Sequence, residues 1–259
     1  MSGSTGPRTS IAVAELRRIE VRGRDLCDDL LGRVAFTDYF LLLLTGEMPD
    51  ERLRRVTEAT LVAIAEHGLV PSVVAARMTL AAAPDALQGA VAAGLLGCGS
   101  VILGAAETAG DMLAEVLAQE AEAGSLDEAA RRVLTPIRAA RRALPGFGHP
   151  IHREGDPRAA KLLSLAEEWG TAGAHCAALR AVGAQVEGIW GRPLVLNVSG
   201  AIPAVLLDAG YPRRALRGIP ILARAASLIA HLLEESQRPT GFAMADAAAA
   251  AVPYNGPRP

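Results

Sequence analysis

Apolar residues run along this chain in helix-length blocks, and no stretch sustains the two-residue alternation of a half-buried strand, so the pattern predicts an all-α fold. The breaks between blocks carry helix start and stop signals. Residues 1–10 are polar and read as a disordered leader. Ile11 to Glu20 has mixed polarity and fits strand or helix, and Val21 to Leu26 reads as a turn entering a helix with Asp25 as its cap. Phe36 to Thr45 is a buried helix stopped at Gly46, and Asp50 caps an amphipathic helix reaching about Glu66. His67-Gly68 ends it, and Pro71-Ser72 starts the next. Asp85 to Leu96 is apolar on more than one face and is interrupted by Gly97-Cys98-Gly99. A helix then reaches about Ala123, and Ser125 with Glu128 forms a capping-box pattern. Further helices are expected over 158–169, 173–189, 197–210 and 220–236, while 247–251 is weakly specified.

One stretch breaks this pattern. Pro145-Gly146-Phe147-Gly148-His149-Pro150-Ile151-His152-Arg153-Glu154-Gly155-Asp156-Pro157-Arg158 is polar, basic and dense in Gly and Pro between two apolar helices. Regular helix is excluded there, and polar loops on a rigid scaffold are where binding and catalysis concentrate. Gly146 and Gly148 allow close backbone approach to a ligand, and His149 with Arg158 suits a carboxylate. A structural loop pinned by an Arg–Asp pair fits the composition equally well. Elsewhere, His67 at a helix end either caps carbonyls or binds a ligand. Arg224, between Leu222 and Leu228 on an apolar helix, needs an anionic partner from protein or ligand. Glu234-Glu235 reads as solvated surface and Cys98 as a small core residue.

Composition narrows the function classes. With 259 residues, 51% hydrophobic but only 3% aromatic, the core must be built from Ala, Leu, Val and Ile in close-packed helices. A net charge of −2 gives no footprint for nucleic acid or a membrane surface. Cys27, Cys98 and Cys176 show neither disulfide nor metal spacing, and no secretory signal precedes residue 10. A soluble cytoplasmic protein without a metal is expected.

The stretch Pro145 to Arg158 closely resembles the active-site loop of the citrate synthase superfamily. Three further stretches match in order: Glu20 to Leu26 with Leu42 to Pro49, Glu66-His67-Gly68 with Pro71-Ser72, and Leu222 to Glu234 around Arg224. The short chain and the Glu-His-Gly form point to the citryl-CoA lyase branch. The resemblance implies an all-α homodimer in which a small helical domain, residues 108–213, is inserted into a large one, residues 11–107 and 214–259. It implies that His67, His149, Arg158 and Arg224 bind the oxaloacetate or citrate part, and that Pro145, Gly146, Phe147, Gly148 and Arg153 bind coenzyme A. The CoA thioester is then a substrate and no cofactor is held permanently. The partners are acyl-CoA and di- or tricarboxylates.

Two positions depart from the family pattern. Leu103 stands where the family places a histidine that polarises the thioester carbonyl, and Ser199 stands where it places the aspartate that moves the acyl α-proton. Leucine cannot donate a hydrogen bond and serine is no base at neutral pH. Asp208 lies nine residues past Ser199, about 13 Å along a helix and too far to replace it. His149 and Ser199 remain as the catalytic candidates. The expectation is a citryl-CoA lyase or citrate synthase-type acyltransferase. The alternatives are a non-catalytic CoA- or tricarboxylate-binding relative, or an enzyme for a different acyl-CoA.

Overall fold

A computed structural model describes residues 6–148 and 154–257. The chain forms two compact units, one ending at Glu58 and the other beginning at Ala59.

The first unit opens with a three-stranded antiparallel sheet that the helical pattern did not reveal. Its strands are β1 (Ala12–Ala14), β2 (Ile19–Val21) and β3 (Arg24–Asp25). Strands of two or three residues are too short to display alternation. Arg22 and Gly23, at φ 50° and 75° between the paired residues Val21 and Arg24, make a two-residue hairpin turn with positive φ at both positions. The Arg22 guanidinium donates from Nε and Nη2 to the Leu43 carbonyl, at 3.0 and 2.6 Å. Asp25 caps a single π-helical turn, Leu26–Leu30, by accepting from the amides of Cys27 and Asp28. Helix α1 (Phe36–Thr45) stops at Gly46, whose φ of 87° closes the last turn. Val21, Leu30 and Leu42 form the core of this unit.

Helix α2 (Glu51–Ala65) is capped by Asp50, which accepts from the Leu53 amide. The second unit continues with α3 (Pro71–Ala82), α4 (Leu87–Leu96), a π-helical turn (Gly99–Leu103), α5 (Ala105–Ala123) and α6 (Leu126–Ala139). It ends with α7 (Pro157–Glu168), α8 (Ala174–Trp190), α9 (Val198–Asp208), α10 (Gly218–Gln237) and α11 (Gly241–Ala251). The Ser125 hydroxyl accepts from the Glu128 amide, as the capping pattern predicts. The weakly specified alanine run is helical, as α11.

Two groups of helices pack within this unit. In one, α3 contacts α4, α10 and α11 around Val73, Ala76, Leu80, Ala90, Leu228 and Leu232. In the other, α5 packs on α6, α8 and α9, and α7 packs on α9. The low aromatic content explains the closeness. A Cβ on Gly94 would stand 2.7 Å from Leu228 Cδ1 and 2.9 Å from the Ser72 carbonyl oxygen. The α10 region, Arg213–Gln237, is long and apolar enough to cross a membrane. It nevertheless packs against α3 and α4 and buries Arg224 and Glu235.

Gly94→Val therefore overpacks the contact between α4 and α10, and we expect a loss of about 1–3 kcal/mol. Urea unfolding with an unchanged m-value checks it; an unchanged midpoint would show that the helices slide apart freely.

Candidate functional site

Backbone geometry gathers the central loop and the start of α9 into one place. Gly146 and Gly148 have φ of 80° and 84°, conformations that favour glycine. The Gly148 amide donates to the Val195 carbonyl at 2.7 Å, and the Asn197 amide donates to the Gly146 carbonyl at 2.9 Å. The Asn197 side-chain amide donates to the Gly148 carbonyl at 2.6 Å. A Cβ on Gly146 would fall 2.5 Å from Gly200 Cα, so two glycines are required where loop and helix touch. Gly146, Phe147 and Gly148 are thereby fixed against the segment 195–200 that carries Ser199. Pro145 also walls a cleft with Thr108, Met112, Ile137 and Arg142. His149 and Arg153 lie outside the described residues.

Asp156 ties α7 to the same place. It caps α7 by accepting from the Arg158 amide, and it accepts from the Val198 amide at 2.9 Å. The Arg158 guanidinium meets both carboxylate oxygens, Nε at 3.0 Å and Nη2 at 2.9 Å. The Arg–Asp pair read as one alternative for this loop therefore exists. It leaves Arg158 Nη1 uncommitted among the described residues. Burial pushes the Asp156 carboxyl up, but hydrogen bonds from Arg158 and the Val198 amide outweigh this and hold it at about 2.

The amides opening α9 are all taken. Val198 donates to Asp156, Ser199 to Asn197 Oδ1, and Gly200 and Ala201 to the Asn197 carbonyl. The Ser199 hydroxyl has no hydrogen-bond partner among the described residues, whereas Leu103 is 5% exposed and belongs to the core. Asp208 is occupied elsewhere. It accepts from the amides of Gly173, His175 and Cys176 and from the His175 ring, capping α8. Burial pushes its carboxyl up, and these bonds hold it well below the usual carboxylate range. It is no substitute for an aspartate at 199.

A second cluster joins the Glu66–Gly68 turn to the face of α10 that carries Arg224. The Glu66 side chain accepts from the His67 amide at 2.9 Å and from the Gly68 amide. Its other oxygen accepts from the Ser227 hydroxyl and from His231 Nε2, the latter at 2.9 Å. Arg224, Ser227 and His231 share one face of α10, three and four residues apart, so this turn is fastened directly beyond Arg224. Arg224 is only 5% exposed, and its Nε and Nη1 are buried without a hydrogen-bond partner among the described residues.

Two residues escaped the sequence reading. Arg77, 3% exposed, donates to Glu235, Thr240 and His231 and pairs with Glu234. Glu235 is 2% exposed and accepts from Arg77, from both donors of Thr240 and from the Gly241 amide. The expectation that Glu234-Glu235 is solvated surface is wrong for Glu235. Its position eleven residues after Arg224 puts it on the same buried face.

Comparison with known proteins gives a consistent result. The family model described as "Citrate synthase, C-terminal domain" matches residues 9–241. The chain is 32% identical over 207 residues to a putative citrate synthase 2 of Mycobacterium tuberculosis, covering 78% of this chain and 52% of that protein. It is 31% identical over 138 residues to a citrate synthase of Synechocystis sp., covering 52% of this chain and 32% of that one. The chain thus spans about half or less of the length of these curated relatives. The solved structure of citryl-CoA lyase from Hydrogenobacter thermophilus matches with a TM-score of 0.84 and 32% identity, covering 97% of this chain and 95% of that one. ATP citrate lyase from Methanothrix soehngenii, solved in complex with citrate and coenzyme A, matches the whole chain with a TM-score of 0.78 over 43% of its own length. At 21% identity that second likeness is one of fold.

The Asp156 geometry gives a pH prediction. Its carboxyl lies at about 2 in the folded protein against an ordinary value of 3.8. A depressed value means stability present above the ordinary value and lost as pH falls through the folded one. Asp156→Asn should cost about 2 kcal/mol at pH 7, with the difference from wild type shrinking between about pH 4 and pH 2. Urea titrations across that range check it; a pH-independent difference would show that the ion pair is not its source.

Proposed function

The chain belongs to the citrate synthase family, and from that premise we propose that it acts on the carbon–carbon bond joining the acyl group of a CoA thioester to a 2-keto acid, in the manner of a citryl-CoA lyase. The observation that carries this is Arg224. A guanidinium keeps its charge at any working pH, and burying it with two unpartnered nitrogens is costly unless an anion arrives. A substrate carboxylate supplies that anion, with His67 beside it and Arg158 contributing its uncommitted Nη1. Pro145 to Gly148 and Arg153 hold the CoA, whose negative charge suits a basic loop.

In the cleavage direction, His149 accepts the proton of the substrate hydroxyl as that oxygen becomes a carbonyl. The bond to the acyl carbon breaks, and its electron pair passes onto the acyl carbon and thioester oxygen as an enolate. A proton from water completes the acyl-CoA. The enolate is met by the Ser199 hydroxyl or by water, because Leu103 offers no donor and the first four amides of α9 are already bonded. That same exhaustion of donors favours a second reading, a non-catalytic relative that binds CoA or a tricarboxylate. A large domain with an inserted small one at 108–213, a homodimer and a cytoplasmic setting belong to the proposal. The exposed apolar residues Leu87 and Leu96 of α4 suit a dimer contact.

Arg224→Met should weaken binding of citrate or oxaloacetate by about 2–5 kcal/mol, the cost of losing one partner of a desolvated pair. Calorimetric titration measures it. Equal affinity in a folded variant would remove Arg224 from the site.

Chemistry is tested at position 199. We expect wild-type protein to exchange the methyl protons of acetyl-CoA with deuterated solvent very slowly, because a general base contributes about 10²–10⁴-fold. Citryl-CoA cleavage should be clearly faster than that exchange. Ser199→Asp should raise the exchange, seen by NMR with and without oxaloacetate. Rapid exchange by the unaltered protein would mean that another base performs this step.

A further inference from the structure

The contacts of Glu66 run in one direction through three side chains. Arg77, fixed by Glu235 at 3.3 Å and Thr240 at 3.2 Å, donates from Nη2 to His231 Nδ1 at 2.9 Å. Arginine has only donors, so His231 Nδ1 must accept and its proton must sit on Nε2. That proton faces Glu66, 2.9 Å away. Glu66 then spends its remaining oxygen on the two amides of the His67-Gly68 turn, where Gly68 has φ of 74°. Burial pushes the Glu66 carboxyl up, while the bonds from Ser227, Gly68 and His231 pull it below its ordinary value, so it serves as an acceptor at neutral pH.

We propose that Arg77, His231 and Glu66 form a positioning relay that sets the orientation of His67 relative to Arg224. The inference rests on the reading of His67 as a carboxylate-binding residue and adds to it the device that fixes the backbone turn from which the ring projects. None of the three need touch the ligand. Tying α3 to α10 is already accomplished by Arg77 with Glu234 and Glu235, so the link through His231 to Glu66 is not needed for that purpose. What it adds is a fixed His67 turn one step along the face that carries Arg224. The polarity is also selective. Reversing any member, such as placing a donor at Glu66 Oε2, faces a hydrogen with a hydrogen, because His231 cannot change tautomer while Arg77 holds Nδ1.

The test separates positioning from stability. His231→Asn keeps a polar group near Nδ1 and loses the reach to Glu66, whereas His231→Gln keeps a donor near the Nε2 position. Citrate affinity by calorimetry should fall about tenfold in His231→Asn, recover most of that loss in His231→Gln, and change less than about twofold when His231→Asn is added to His67→Ala. The five histidines also permit a reading without ligand. Long-range proton–nitrogen spectra should show His231 protonated at Nε2, and the His67 ring signals should move in His231→Asn. An equal affinity loss with and without His67, no loss at all, or unmoved His67 signals would overturn the relay. If the wild-type protein binds no citrate or oxaloacetate, the carboxylate reading fails separately, and the ring signals still decide the relay.

Discussion

A buried arginine cannot shed its charge, and the second unit is organised around answering that demand. Arg77 is answered four times over, by Glu234, Glu235, Thr240 and His231. Arg158, only half-buried, is answered by Asp156, which also joins α7 to α9 through the Val198 amide. Arg224 is left with two nitrogens unanswered among the described residues. The first two arginines therefore behave as struts, tying α3 to α10 and the loop to α9. The third is the one for which the proposed function supplies the missing anion. Asp38, Thr57 and Ser72 also bury an unpartnered side-chain oxygen, but Arg224 is the one charged group in the second unit left so among the described residues, and a buried charge costs far more than a hydroxyl.

Small residues make these anchors possible. Arg77 and Glu235 meet because α3, α10 and α11 lie close, and Gly241 at the start of α11 leaves no room for a side chain against Ala81 and the Arg77 carbonyl. Gly146 and Gly200 likewise let the loop rest on the first turn of α9. Dense packing holds backbone and side chains in single arrangements, which gives the loop and the Glu66 turn their fixed geometry. The few aromatics and many alanines are thus the condition for a polar site of this precision.

The helices were legible because their ends carry chemistry: Asp50, Ser125, Asp156 and Asn197 all cap as their types suggest, and Gly46 closes α1. For the sheet at 12–25 the sequence left strand and helix both open over 11–20 and did not reveal the pairing, since two- and three-residue strands carry no period. Among site residues, Arg224 stood out as a charge between leucines. Arg77 sits in an equally apolar run from Val73 to Leu80, and the same argument applied there would have found it. Glu235 was hidden by Glu234, because adjacent residues on a helix face different ways and a pair of acids reads as surface. The role of Asp208 could not be read at all, since its partners at 173–176 are 32–35 residues away in sequence.

In the proposed reaction Leu103 and Ser199 bear on one enolate, whose formation and protonation are the gain and loss of the acyl α-proton. Detailed balance requires that removing a base slow the gain and the loss of the acyl α-proton by the same factor. The two steps nevertheless start from different heights. An enolate released by carbon–carbon scission lies far above the neutral thioester, so water can protonate it without help. Taking that proton from acetyl-CoA climbs the same gap, and there a positioned base is needed most. In the proposed reaction, a site without an enolising pair therefore exchanges the acyl α-proton slowly, and detailed balance passes any such deficit to cleavage and condensation alike. An aspartate introduced at 199 would sit in the first turn of α9, where the helix dipole favours the ionised form. That placement lowers its basicity, so a gain in proton exchange would report on its position more than on its intrinsic strength.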